Sequence, residues 1–110
     1  MLAYYALYLE KVGQGPPEGI IVMDPASGDA MMWDHLSSAW TYDPELAVRF
    51  LDNGRNFDRY EPIDRATAEQ ITPGITSGEP LPDEETIRWV YHVKGIPPEG
   101  NELDGTEPIT

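Results

Sequence analysis

The 110-residue chain carries 20 acidic and 7 basic side chains, a formal charge of −13 at pH 7, with 40% hydrophobic residues and no cysteine. The hydrophobic fraction suffices for one core, and the lack of cysteine excludes disulfides, thiolate metal sites and cysteine nucleophiles. The negative field opposes nucleic acid and anionic membranes and favours a basic partner or cations.

The first apolar run, Leu2 to Leu9, has no basic flank and meets Glu10-Lys11 directly, so it reads as neither an export signal nor a membrane span. A cytoplasmic protein is the resulting expectation. Within that run, Ala3-Tyr4-Tyr5-Ala6-Leu7-Tyr8-Leu9 is continuous and aromatic, which predicts a strand buried on both faces. After the break at Gly13 to Pro17, Ile20 to Met23 and Ala30 to Asp34 flank Asp24-Pro25-Ala26-Ser27-Gly28-Asp29. Two apolar runs about such turn chemistry predict a β-hairpin. Ser38 to Tyr42 reads as a further strand.

Asp43-Pro44-Glu45 then opens a helix: an N-cap side chain, a proline suited to the first position, and an acid at the positive end of the dipole. Leu46, Ala47, Phe50 and Leu51 share its inner face, and Asn53 or Gly54 is expected to close it in the left-handed conformation. A strand around Phe57 to Ile63 follows. Asp64 caps a second helix over 65–72, buried through Ala68 and Ile71 and ended by Pro73. In the next segment Pro82-Asp83-Glu84-Glu85 resembles a helix start, while Ile87, Trp89, Tyr91 and Val93 alternate with polar residues. Period two in β-branched and aromatic residues favours a strand there. Residues 96–110, with four acids and no base, read as an acidic, flexible tail after a domain of residues 1–95. The expected fold is α+β: one small domain, an antiparallel sheet of about five strands, and two helices packed on one face.

Catalytic and metal-binding patterns are sparse. His35 and His92 stand far apart, and no nucleophile turn of the Gly-x-Ser-x-Gly kind accompanies Ser37 or Ser38. Asp52 to Asp58 concentrates oxygen ligands, but its glycine falls at the third position and Ile63 occupies the place of the bidentate acid. It therefore reads as a helix end and turn. Arg55, Arg59 and Arg65, interleaved with Asp58, Glu61 and Asp64, read as locally ion-paired. No metal, no cofactor and no enzymatic activity is expected.

The aromatics offer more. Trp89 and one other tryptophan are assigned to the core, while Trp33 and Trp40 flank a polar loop that starts with Asp34, with Tyr42 just beyond. Aromatic anchors beside carboxylates suit a basic protein. The residues expected to bind a partner are Trp33, Asp34, Trp40, Tyr42 and the acidic knot Asp83, Glu84 and Glu85. The leading expectation is a small acidic binding protein for a basic protein partner, of the immunity or antitoxin kind. The alternative is an accessory subunit of a larger assembly whose acidity serves solubility.

Overall fold

A computed structural model of the chain describes residues 1–95; the expected tail, 96–110, lies outside the described residues. Five strands form one antiparallel sheet: β1 (Ala3–Leu7), β2 (Gly19–Met23), β3 (Ala30–Asp34), β4 (Ala39–Tyr42) and β5 (Tyr60–Ile63), in the order β4-β3-β2-β1-β5. Three α-helices accompany them: α1 (Pro44–Asp52), α2 (Arg65–Thr76) and α3 (Glu84–Lys94). The class is α+β as expected, with three helices where two were expected.

Strand β2 governs the layering. Ile20, Ile21 and Val22 are all fully buried, and successive side chains of a strand point to opposite faces. Both faces of the sheet therefore need a cover. On one face Ile20 and Val22 join Tyr4, Met31 and Trp33 beneath Ala68 and Ile75 of α2 and Ile87 and Tyr91 of α3. On the other, Ile21 and Ala30 meet Ala47 of α1, with Tyr5, Leu7, Met32, Phe50 and Leu51 around them. The expected arrangement of helices on a single face is thus corrected: α1 covers one face, α2 and α3 the other.

The hairpin between β2 and β3 forms as read from its turn residues. Asp24 N–H donates to the Asp29 carbonyl at 2.8 Å, Gly28 N–H returns a bond to Asp24 at 2.8 Å, and Gly28 takes φ +83°. That left-handed conformation is the one glycine adopts without penalty. Helix α1 begins as expected, with the Asp43 side chain accepting from Leu46 N–H and Pro44 in the first turn. Its end differs. Asn53 is extended at φ −79°, and a 3-10 turn over Gly54–Asn56 follows in place of a left-handed cap.

Two larger corrections concern α2 and α3. Helix α2 runs through Pro73 to Thr76 and stops where Ser77 turns left-handed at φ +60°. Pro73 and Glu69 are exposed, so the Glu69 carbonyl left without a helical donor faces water. The buried Thr72 hydroxyl donates to the Ala68 carbonyl at 2.6 Å. The segment over 84–94, expected as a strand, is α3. Asp83 caps it by accepting from Thr86 N–H at 2.7 Å, Glu84 and Glu85 lie in its first turn, and His92 and Lys94 lie in its last. Complete capping and dipole matching, with Ile87 and Tyr91 buried four residues apart, prevail over the alternation. His92, read as a sheet residue, is an exposed helical one.

Since Ile87 is fully buried under this packing, Ile87→Ala is expected to lower unfolding free energy by about 2–5 kcal/mol, measured by urea denaturation. On a peripheral strand with one open face the loss would be much smaller.

Candidate functional site

A cleft between β4 and α3 carries Trp40 and Tyr42 in its walls. Its volume is about 470 Å³, and Met31, Trp40, Tyr42, Ile87, Val90 and Lys94 are among its walls. Thr86 and Pro82 close one end, directly beside the acidic knot. The aromatic strand thus lines the cleft, and the acidic knot lies between two of its wall residues, Pro82 and Thr86, without lining it.

The expected site residues divide on inspection. Trp33 is core: it is 7% exposed and packs edge-on against Trp40, ring centroids 5.4 Å apart. Trp40 is half-buried in the cleft wall, and its buried indole N–H has no hydrogen-bond partner among the described residues. A donor in that state carries a desolvation cost of about 1–3 kcal/mol. Tyr42 lies against Tyr91, centroids 5.9 Å apart, and its hydroxyl donates to Asp29 Oδ1. Asp34, at the end of β3, accepts from Leu36 N–H at 3.0 Å and from the Ser37 hydroxyl at 2.9 Å. Its pKa is held below the carboxylate norm by the Ser37 hydroxyl first and the Leu36 N–H second.

The acidic knot is three residues with three situations. Asp83 is the α3 cap, with its pKa lowered by the Thr86 amide. Glu84 is structural: the buried Tyr4 hydroxyl donates to its Oε2 at 2.6 Å. Arg65 Nη1 donates to the same hydroxyl at 3.1 Å and to the Pro82 carbonyl at 2.8 Å, tying β1, α2 and the start of α3 together. Glu85 is exposed and makes no such tie.

Trp89 is the residue that sequence reasoning misplaced. Assigned to the core, it is 64% exposed on the outer side of α3. The error follows from the strand assignment, since period two puts Trp89 with Ile87 and Tyr91, whereas 3.6 residues per turn rotates it away from them. The same rotation sets Val93 one turn from both Trp89 and Val90, so apolar residues run from the cleft wall at Val90 through Val93 to Trp89.

A second, shallower groove of about 350 Å³ lies on the opposite face beside α1, walled by Met32, Asp34, Leu36, Thr41, Asp43 and Leu46. Leu36 at its rim is 98% exposed. Thr41 of β4 borders both the groove and the cleft, so β4 separates two largely apolar depressions, the groove carrying Asp34 and Asp43 and the cleft carrying Lys94. His35, next to Leu36, is exposed, and its Nε2–H donates to the Glu18 carbonyl at 2.7 Å.

Local ion pairing of the arginines forms at Arg65 and not at Arg55 or Arg59. Among the described residues the one ion pair is Arg65 with Glu69, at 2.7 Å. Arg55 and Arg59 share a shallow polar depression with Glu10, Lys11 and Asp58 without closing a pair. No group of three or more histidine, aspartate or glutamate side chains among the described residues is placed to hold a metal ion. No described helix is long and apolar enough to cross a membrane. Comparison with protein-family models, with curated proteins and with solved structures yields no match for this chain.

Two outcomes check this assignment. Trp33→Ala is expected to lose about 3–5 kcal/mol of stability, whereas Trp89→Ala stays within about 0.5 kcal/mol, both by urea denaturation. The second concerns alkaline pH. Burial and the Asp29 carboxylate push the Tyr42 hydroxyl up to about 12, and the Glu61 carboxylate with burial does the same for Tyr8. A pKa raised on folding gives stability that is whole below the ordinary tyrosine value of 10.0 and is lost as pH rises through about 12. Ultraviolet titration is expected to show these two phenols ionising late, with the melting temperature falling across the same window; Tyr42→Phe removes one late step.

Proposed function

We propose that the chain is a small binding protein that engages a basic protein partner, as an immunity or antitoxin protein does when it blocks a cationic nuclease. The observation that carries the reading is the near absence of internal neutralisation: one ion pair serves the 7 bases and the 16 of the 20 acids that fall within residues 1–95. Carboxylates left free of internal cations keep their attraction for an external one. Exposed Trp89 and the cleft beside it supply the apolar anchor that a charged rim alone lacks, and large aromatics with excluded water are where binding energy concentrates. Such a surface accelerates encounter through long-range attraction and holds the partner through the anchor.

A whole-proteome acidic habit would leave charge spread along the chain, whereas residues 55–78 carry four acids and three bases between two strongly acidic flanks. The accessory-subunit reading draws on a different observation, the exposed Leu9 and Phe57. Both follow from a shared surface requirement, and salt separates them.

Association with a basic protein captured by the full chain and purified is expected to slow about tenfold or more from low to high salt, by stopped-flow or surface plasmon resonance. Glu85→Lys should reduce the association rate, and Trp89→Ala should raise the dissociation rate. Salt-insensitive association, or capture only of a salt-resistant assembly, refutes the electrostatic reading.

A further inference from the structure

The two edges of the sheet are not equivalent, and their hydrogen-bond phase shows why. Antiparallel partners alternate between pairs that exchange backbone bonds and pairs that do not. At the β3–β4 boundary Asp43 N–H donates to the Ala30 carbonyl at 3.1 Å, and the register continues Met31 with Tyr42, Met32 with Thr41 and Trp33 with Trp40. Thr41 therefore bonds inward to β3, and the N–H and C=O groups of Trp40 and Tyr42 point out from an edge that no strand among the described residues pairs with. At the other boundary Tyr8 N–H donates to the Arg59 carbonyl at 2.7 Å, and Tyr5 stands opposite Pro62. The same alternation turns Tyr60 and Pro62 outward on β5. Proline has no N–H, so that edge lacks one of its two outward donors, a recognised means of blunting an edge. Strand β4, Ala-Trp-Thr-Tyr, has neither proline nor charge.

We propose that the β4 edge binds its partner by strand addition, pairing with the backbone of Trp40 and Tyr42, and that the added segment alternates apolar and basic residues. This rests on the basic-partner reading and specifies its contact. The side chains next to an added strand differ on its two sides. Toward α3 it meets the cleft with Trp40, Tyr42 and Val90, where Lys94 disfavours a cation and apolar side chains fit. Toward α1 it meets a largely apolar groove whose charged walls are Asp34 and Asp43, with no lysine or arginine among them, so a side chain with an aliphatic stem and a cationic head fits. Successive residues of a strand reach opposite faces, so one segment satisfies both demands only by alternating. A second copy is the competing occupant, since an open edge can pair with its own kind. Two copies each bearing −13 repel, and β4 would meet β4 with no cation except Lys94 to offset the acids.

The test uses the full chain, ¹⁵N-labelled, and an end-blocked peptide of alternating valine and lysine as the probe, with a valine–glutamate peptide and a valine-block–lysine-block peptide as controls. Amide exchange is followed residue by residue, and sedimentation reports the state of the free chain. Expected is a monomer whose Trp40 and Tyr42 amides exchange freely and become protected about tenfold or more by the alternating lysine peptide, little by the controls. Binding of that peptide without protection at Trp40 and Tyr42 overturns strand addition and leaves the basic-partner reading standing. Equal binding of the glutamate peptide overturns both. A dimer of the free chain with these two amides already protected assigns the edge to a second copy; a monomer with them protected assigns it to another segment of the chain; either result overturns the proposal, as does failure of the lysine peptide to bind.

Discussion

Complete burial of three consecutive residues in β2 is the constraint from which the rest of the architecture follows. Ile20, Ile21 and Val22 have no exposure, which no sheet with one open face allows. The chain has three helices to cover two faces, and it divides them unequally. Helices α2 and α3 together cover the larger core, which holds Trp33 and Tyr91. The nine-residue α1 covers the other face alone. A single short helix cannot extend across five strands, so apolar grooves remain beside it, including the one lined by Met32 and Leu46. The uneven cover is therefore a source of the molecule's exposed apolar surface.

Polar ties fix how the larger cover sits. The Tyr91 hydroxyl, largely withdrawn from water, donates to the Val22 carbonyl at 2.6 Å, anchoring α3 to the most buried strand. At the other end of α3, Glu84 meets the Tyr4 hydroxyl and, through it, Arg65. A buried hydroxyl without a partner is costly, so each of these bonds selects one placement of the helix more than it adds net stability. The chain reinforces the other end of α3 by close approach. A side chain at Gly95 would bring its first carbon 2.7 Å from the Tyr91 carbonyl oxygen and 2.9 Å from Asp29 Oδ1. Asp29 is also the acceptor of Tyr42, so the hairpin turn, the edge strand and the helix end converge there.

Local signals were legible where one residue's chemistry settles the backbone. Asp43-Pro44-Glu45 fixes the start of α1 whatever surrounds it, and Gly28 does the same for the hairpin turn. Signals failed where two periodicities coexist. Ile87 and Tyr91 are spaced both for a strand face and for a helix face, and only Trp89 and Val93, apolar yet exposed, discriminate between them. Nothing local marks those two as outward. Pro73 misleads for a related reason: the carbonyl it deprives lies on the water side of α2, where the loss is small and the helix continues. For the site, the aromatic strand and the acidic knot were each visible as compositions. The cleft beside the knot takes its second wall from Ile87, Val90 and Lys94 on one side of a helical α3, so it was out of reach.

The acidity and the fold bear on each other at the sheet edges. An edge strand without proline or charge invites pairing, and isolated domains usually guard against it. Here β5 is guarded by Pro62 while β4 has no strand partner beyond β3 among the described residues, and the asymmetry is physical, because Pro62 occupies a position whose N–H would face outward. A strongly negative molecule can leave such an edge open at little risk from its own copies, since like charge keeps them apart. On the proposed reading the same charge attracts a cationic chain. Net charge then filters backbone hydrogen bonding, which has no sequence preference of its own, and the side chains on either side of the edge, Val90 and Trp40 on one and Asp34 and Asp43 on the other, are what the proposal leaves to discriminate. Stability and the proposed specificity then rest on different carboxylates: the half-buried ones of Glu84 and Asp29 tie the frame together, and exposed ones such as Glu85 make no such tie.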